Sequence, residues 1–145
     1  MMNKRLLRIG TIVLTVACVI TGLLLCGFGR HLISVHQVEK IELTASDSAG
    51  TATVELDADA LRKFIICYNL SRYAGPVNVE HCERTFFVSV HLKDGRRIGI
   101  SDHDGARMKV TGMDTESFWI DNILLLRTVQ NLIHDNGLLL KTWGC

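Results

Sequence analysis

Apolar and polar positions change their spacing several times along this chain, and each spacing predicts a different element. The first pattern is an uncharged run of 20 residues, Ile9–Phe28, preceded by Lys4, Arg5 and Arg8. A helix of this length rises about 30 Å, which is the thickness of the hydrocarbon core of a bilayer. The run therefore predicts a transmembrane anchor at 9–28, behind a short basic tail at 1–8.

The charges beside this run predict its orientation. Basic residues cluster before it, whereas after it Glu39 offsets one of the nearby cations, Arg30 and Lys40. The positive-inside bias then predicts a single-pass cell-membrane protein with a cytoplasmic N-terminus and an extracytoplasmic C-terminal part. A cleaved signal peptide is the alternative, although its apolar core is usually only about 7–15 residues long.

Strict alternation follows the anchor and predicts a β-hairpin. Within 38–45 the apolar residues Ile41, Leu43 and Ala45 occupy every second position, and within 51–56 Ala52, Val54 and Leu56 do the same. A turn at 47–50 pairs Leu43 with Val54, so that both apolar sets lie on the same side of the hairpin.

The spacing then changes from two to about 3.6, which predicts a helix. Asp57 is a suitable N-cap, and the helix is expected to end near Leu70, because Gly75 and Pro76 interrupt the stretch that follows. The residues that form its buried stripe are Leu61, Phe64, Ile65 and Tyr68.

Alternation returns in three runs, 85–92, 96–102 and 106–112, which are joined by loops that both end in Asp-Gly. A three-residue loop with a left-handed glycine pairs Val90 with Ile98, and the same loop in the second hairpin pairs Ile100 with Met108. The remaining elements are a fourth strand through Phe118 and Ile120, and a helix over 123–135 that ends at Asn136-Gly137.

These elements together predict an α+β fold. Its order is an N-terminal transmembrane helix, a β-hairpin, a helix, a four-strand antiparallel meander and a C-terminal helix. Residues 29–37 are expected to be a juxtamembrane tether, and residues 38–145 an extracytoplasmic domain large enough for one hydrophobic core.

Composition narrows the range of partners. Three of the 16 Lys and Arg residues precede the anchor, which leaves 13 against all 15 acidic residues, a net charge of −2 beyond the membrane. This balance argues against nucleic acid as a partner. The chain contains no catalytic or nucleotide-binding motif that we recognise, so neither a catalytic residue nor a cofactor is predicted.

The cysteines and histidines suggest two further kinds of site. An oxidising compartment permits a Cys67–Cys82 disulfide, and three free thiols beyond the anchor, with Cys145 as the third, are the alternative. His81, Cys82 and His103 are expected at one end of the sheet and are a candidate metal site, although Asp-Gly turn chemistry already accounts for the loop that contains His103.

The polar face of the meander is the candidate binding surface. The predicted register places His91, Arg97, Thr111 and Trp119 in one row across the strands. An exposed aromatic residue among cations suits an anionic polymer, a lipid headgroup or a peptide, whereas an ordinary solvated sheet face and a face covered by the first hairpin are the alternatives. The full set of candidate residues is Phe87, His91, Arg97, Arg107, Lys109 and Trp119.

The order of these motifs also resembles a known group of proteins. The capped helix LDADALRKFI, the strand-KDG-strand hairpin, the segment F-W-I and the terminal helix cover about residues 38–135. In this order they resemble the short single-anchor extracytoplasmic proteins of Gram-positive bacteria that carry a small α+β domain of unknown function. The resemblance implies a bacterial cell-membrane location and an accessory role, and it transfers no catalytic residue.

Three functions are consistent with these patterns. The first is a membrane-tethered, non-enzymatic module that binds a protein or an envelope polymer. The second is a metal- or redox-responsive envelope module that uses His81, Cys82 and His103. The third is a divergent envelope hydrolase.

Overall fold

The fold is built on one antiparallel sheet that carries two helices on one of its faces. A computed structural model describes residues 4–25, 31–47, 50–77, 85–112 and 117–138. Within these residues the helices are α1 (Lys4–Leu25), α2 (Ala58–Asn69) and α3 (Ile123–Asp135). The seven strands are β1 (Val38–Asp47), β2 (Gly50–Glu55), β3 (Arg72–Pro76), β4 (Phe86–Leu92), β5 (Arg97–Asp104), β6 (Arg107–Thr111) and β7 (Phe118–Asp121), in the order β2-β1-β4-β5-β6-β7-β3. The α+β class is as predicted.

Helix α1 is the apolar helix that the first pattern predicts. Its segment Arg8–Leu25 has a mean hydropathy of 2.1, and none of it is buried. These 18 residues rise about 27 Å, so the helix is long and apolar enough to span a membrane. The predicted span continues to Phe28, but residues 26–30 lie outside the described part of the chain.

The first hairpin has the predicted register but a different position. Leu43 pairs with Val54 on β2, as expected from the alternation. On its other side β1 pairs with β4, with Leu43 opposite Val88 and Ile41 opposite Val90. The hairpin therefore extends the sheet edge to edge. It is not a separate unit beside a four-strand meander, and it does not fold over the polar face.

Strand β3 is the second departure from the predicted arrangement. The sequence predicts no strand in the stretch after α2, where Gly75 and Pro76 end the helix, yet this stretch pairs with β7, with Tyr73 opposite Ile120. The register shifts between Tyr73 and Gly75, and the φ angle of Gly75 is +113°. An edge strand tolerates proline and irregular pairing, because one side of its backbone has no strand to bond.

The second hairpin of the meander is displaced by two residues from the predicted register. Ile100 lies opposite Val110 and not opposite Met108, and the irregularity falls between Asp102 and Asp104. The Asp102 carboxylate accepts hydrogen bonds from the backbone N–H groups of residues 85 and 86, which ties β5 to the start of β4. A shift of two keeps every side chain on its predicted face, because side chains alternate with a period of two.

The predicted tether, 29–37, is packed against the domain over its described part. Ile33 is buried, its N–H donates to Asn69 Oδ1 at 2.9 Å, and Asn69 Nδ2 donates to the Ile33 carbonyl at 2.8 Å. The side chain of Asn69 thus pairs with the backbone of Ile33 through two hydrogen bonds. We therefore place the start of the domain at residue 31, and call residues 31–37 the docked segment.

The histidine at the start of the docked segment is almost fully buried. His31 is 1% exposed, and its ring lies 5.0 Å from the Tyr68 ring and 5.9 Å from the Phe118 ring. Nε2 is 3.3 Å from the Tyr68 carbonyl, which can only accept, so Nε2 carries the proton of a neutral imidazole. Nδ1 has no hydrogen-bond partner among the described residues. Burial lowers the pKa of His31 below its ordinary value of 6.5.

The two helices close the core against the apolar face of the sheet. Asp57 caps α2 as predicted, because its carboxylate accepts the N–H groups of residues 59 and 60. Asn122 caps α3, and its Nδ2 donates to the Cys67 carbonyl at 2.7 Å, which fixes the start of α3 beside the end of α2. The helix side chains buried in the core are Phe64, Ile65, Tyr68, Leu125, Leu126, Val129 and Ile133.

A pair of glycine variants tests the packing at the end of β6. Gly105 and Gly112 both have left-handed φ angles, +53° and +83°, but only at Gly112 does a Cβ meet backbone, 2.2 Å from the Arg97 carbonyl oxygen. We expect Gly105→Ala to lower the free energy of unfolding by about 1–2 kcal/mol through strain alone. Gly112→Ala should cost about 3 kcal/mol or more, because a collision with backbone is added. Denaturant unfolding of the detergent-solubilised protein measures both free energies, and equal losses in the two variants would contradict the collision at Gly112.

A second experiment tests the burial of His31. Because its pKa is lower in the folded chain, the unfolded chain binds the proton first as the pH falls, and folding loses stability on acidification. The free energy of unfolding should therefore fall between about pH 7.5 and about pH 5.5, above the range in which ordinary carboxylates titrate. His31→Leu should reduce this loss, whereas the exposed control His36→Gln should retain it. An unchanged pH slope in His31→Leu would refute the assignment.

Candidate functional site

The candidate surface is the face of the sheet opposite α2 and α3, which we call the outer face. On each strand the outer-face residues alternate with core residues, as Phe87 does between Phe86 and Val88. The structure places all six predicted surface residues on this face: Phe87, His91, Arg97, Arg107, Lys109 and Trp119.

The rows across the outer face differ from the predicted ones because of the displaced hairpin. Phe87 lies opposite Ser101, Ser101 opposite Lys109, and Lys109 opposite Trp119. This row brings two aromatic residues and one cation together. Arg97 lies opposite His91 as predicted, but it does not share a row with Trp119.

The indole of Trp119 stacks on the imidazole of His103 and is mostly buried. The rings of Trp119 and His103 lie 4.4 Å apart with an angle of 24° between their planes. Trp119 is 9% exposed, so the expectation of an exposed aromatic platform at this residue is not met. His103 takes part in this aromatic contact, which no pattern in the sequence predicts.

Two carboxylates of the outer face, Glu42 and Asp121, are paired with cations of the same face. Glu42 accepts hydrogen bonds from Lys40 at 2.7 Å and from His91 at 2.9 Å, and these bonds hold the pKa of Glu42 below its usual range. At the other end of the face, Arg107 and Arg72 both bond Asp121, at 3.0 and 3.1 Å, and together lower its pKa. Glu55, which lies opposite Glu42 on β2, forms no ion pair with a side chain that the structure describes.

Two cations of this face lie apart from these pairs. The Arg97 guanidinium donates to the Ser89 hydroxyl at 2.6 and 3.2 Å, and neither Arg97 nor Lys109 forms an ion pair with any side chain that the structure describes. An unpaired cation can interact strongly with a ligand anion, because no internal carboxylate competes for it.

A half-buried aromatic ring lies between these two cations. A Cβ on Gly99 would come within 2.7 Å of the Phe87 ring, so this ring lies directly across the glycine. Ser89, Gly99 and Ser101 are buried around it and present only small groups. Phe87 thus supplies an aromatic ring between two cations, Arg97 and Lys109, on a surface that is otherwise made of small side chains.

A depression opens beside the His103–Trp119 stack. Its volume is about 300 Å³, and the described residues that line it are His103, Ala106, Arg107 and Asp121. Its polar lining and the Arg107–Asp121 ion pair would accommodate a hydrated group of a ligand bound along the outer face.

The predicted metal and disulfide sites lie mostly outside the described residues. Neither His81 nor Cys82 is among them, and the described part of the chain contains no group of three or more metal-ligating side chains. Cys67 Sγ lies 3.4 Å from the Thr128 hydroxyl, between α2 and α3. The Cys67–Cys82 disulfide and the metal site with His103 both stay predictions.

Sequence reasoning missed the residues that neutralise the outer face and those that fix the docked segment. Glu42 and Asp121 carry no motif, and only their position on the polar side of a strand marks them. The docked segment did contain a signal: Ser34 and Gln37 have capping-box spacing, and Gln37 Oε1 accepts the Ser34 N–H at 3.1 Å. Asn122 directly precedes an apolar helix, which is the usual place of an asparagine N-cap.

Comparison with known proteins adds no relative to these observations. No protein-family model matches the chain, and no significant match is found among curated proteins or solved structures.

Proposed function

We propose that this protein is a membrane-tethered binding module whose outer face holds an extended anionic partner. The observation that carries the proposal is the pair of cations, Arg97 and Lys109, that flank Phe87 and form no ion pair with any side chain that the structure describes. Two acidic groups of the same face, Glu42 and Asp121, are paired with their own cations.

The separation of the two cations favours an extended ligand over a small anion. Lys109 lies opposite Ser101, and Arg97 precedes Ser101 by four residues on β5. Four residues of a strand span about 13 Å. A chain with repeated negative groups can meet both cations and contact Phe87 between them. An acidic protein segment and an anionic envelope polymer both have this chemistry.

The location is proposed on separate grounds. We infer that α1 is a signal anchor that holds the domain on the extracytoplasmic side of a cell membrane. The length and hydropathy of Arg8–Leu25 support a membrane span, and the basic residues before it support this orientation. A Gram-positive envelope, which the motif order suggests, would supply anionic polymers at that surface.

The binding proposal is tested with full-length protein in detergent. Fluorescent polyglutamate and fluorescent polyphosphate serve as the two anionic probes. We expect the double variant Arg97→Gln/Lys109→Gln to bind the preferred probe about tenfold or more weakly, because two charge contacts are lost. Raising the salt concentration should weaken the binding of the probe by the wild-type protein, because salt screens the charge contacts.

The matched control for this experiment removes two cations elsewhere. Arg62 and Lys63 are exposed on α2, on the other side of the sheet. Arg62→Gln/Lys63→Gln should bind the probe as the wild-type protein does. Equal losses in the two double variants would indicate attraction by net charge alone, and they would refute the outer face as the binding surface.

The orientation is tested with reporter fusions at residue 145. We expect an alkaline phosphatase fusion to be active, because that enzyme matures outside the cytoplasm, and a green fluorescent protein fusion exported through the same route to be dark. Replacing Lys4, Arg5 and Arg8 with Gln should reduce this difference, since these cations favour the cytoplasmic side. A bright fusion with an inactive phosphatase would reverse the proposed orientation.

A further inference from the structure

The exposed apolar side chains of the domain are gathered in one place. Outside α1, the large hydrophobic residues that the structure describes as exposed are only five, and each is 48–60% exposed. They come from three segments: the docked segment, the last turn of α2 and the first turn of α3. We call these residues the apolar corner: Leu32, Ile66, Leu70, Ile123 and Leu124.

Two asparagines hold the three segments together. Asn69, at the end of α2, pairs with both backbone groups of Ile33, which places Leu32 beside α2. Asn122 Nδ2 donates to the Cys67 carbonyl at 2.7 Å and to Ser71 Oγ at 3.1 Å, which places the start of α3 against the same turn.

Ile66, in the last turn of α2, and Leu70, its C-cap, share one side of the helix. Ile66 and Leu70 are four residues apart, so their side chains are neighbours on the surface of the helix. On α3, Leu124 lies in the turn whose N–H groups Asn122 caps, with its own N–H 2.9 Å from Asn122 Oδ1. The five residues of the apolar corner therefore lie on three segments that hydrogen bonds hold together near the end of α2.

Chain length places this corner at the membrane if α1 spans it. Five residues, 26–30, separate Leu25 from His31. The six Cα–Cα steps between those residues reach about 20 Å at most. Leu32 is one step further, so the apolar corner begins within about 24 Å of the end of α1.

The charges around the corner suit an anionic lipid surface. Arg62 and Lys63 precede Ile66 by four and three residues, and Arg127 follows Leu124 by three, so exposed cations flank the apolar side chains on both helices. The acids of these helices lie at their other ends: Asp59 in the first turn of α2 and Asp135 at the end of α3.

We propose that the apolar corner inserts into the interfacial layer of the bilayer that α1 spans, with Arg62, Lys63 and Arg127 against anionic headgroups. Apolar side chains bordered by Lys and Arg are the composition that binds to such an interface. The anchor keeps the corner at a high local concentration near the lipid, so weak insertion is enough to orient the domain. This proposal rests on the membrane-tethering part of the proposed function, and it does not depend on the ligand of the outer face.

The test uses a photo-crosslinking amino acid in the full-length protein. Benzoylphenylalanine replaces Leu70 in one variant and Thr53, an exposed residue of the β1–β2 hairpin, in the matched control. Both are reconstituted in vesicles of phosphatidylcholine and phosphatidylglycerol, irradiated and analysed by mass spectrometry. We expect several-fold more phospholipid adduct at position 70 than at position 53, and adducts enriched in phosphatidylglycerol.

Three further variants keep the result interpretable. Leu70→Ser and Leu124→Ser change exposed residues, so the fold should be retained, which the thermal unfolding curve checks. With benzoylphenylalanine at Ile66, the Leu124→Ser variant should lose a large part of the lipid adduct. The triple variant Arg62→Gln/Lys63→Gln/Arg127→Gln should lose the preference for phosphatidylglycerol.

Three outcomes would overturn the proposal in distinguishable ways. Equal lipid adducts at positions 70 and 53 in protein that floats with the vesicles would refute insertion of the corner while leaving the anchor intact. A crosslinked dimer through position 70 would assign the corner to a second copy of the chain. Protein that does not float with the vesicles would refute the anchor and the corner together.

Discussion

The attachment of the docked segment is the constraint on which the arrangement of this protein depends. A hydrogen-bonded amide, Asn69, fixes the backbone of Ile33, and His31 is buried two residues before it. The domain therefore starts at residue 31, and only five residues connect it to Leu25. A long flexible linker would allow the domain to face any direction, whereas so short a connection limits its distance from the end of α1 and, if α1 spans a membrane, the surfaces that can face the lipid.

The buried imidazole makes this attachment sensitive to protonation. His31 is held as a neutral donor to the Tyr68 carbonyl, with Nδ1 unpartnered among the described residues and two aromatic rings around it. Protonation would bury a charge without a counter-ion, so it opposes the docked state. Among the described residues, no carboxylate forms a hydrogen bond or ion pair with His31 to offset that charge. The residue that starts the docked segment thus makes its attachment to the domain weaker in acid.

Alternation and turn chemistry were sufficient to predict the local pairs but not their assembly. The pairing of Leu43 with Val54 and of Val90 with Ile98, and both helix ends, follow from patterns within a few residues of one another. The two-residue displacement of the second hairpin could not be predicted in this way. It accompanies the bonds of Asp102 to the start of β4, and that contact joins residues 16 and 17 positions apart.

Long-range pairing also limits how much of the candidate site on the outer face can be predicted from the sequence. Alternation assigns Arg97, Lys109 and Trp119 to one face of the sheet, and the assignment survives the displacement because the shift is even. Which cations are available depends on pairing across strands that are distant in sequence. Glu42 and His91 are 49 residues apart, as are Arg72 and Asp121. Spacing along the chain cannot show which charges are satisfied.

The two surfaces proposed here are compatible because they belong to opposite layers. The apolar corner is made by α2, α3 and the docked segment, whereas the outer face is the side of the sheet that these helices leave uncovered. Insertion of the corner turns the helical layer towards the lipid and leaves Arg97, Phe87 and Lys109 directed away from that layer. A partner bound there would not compete with the bilayer for the same residues. The membrane contact would instead hold the sheet in one orientation, which lowers the entropic cost of binding an extended partner.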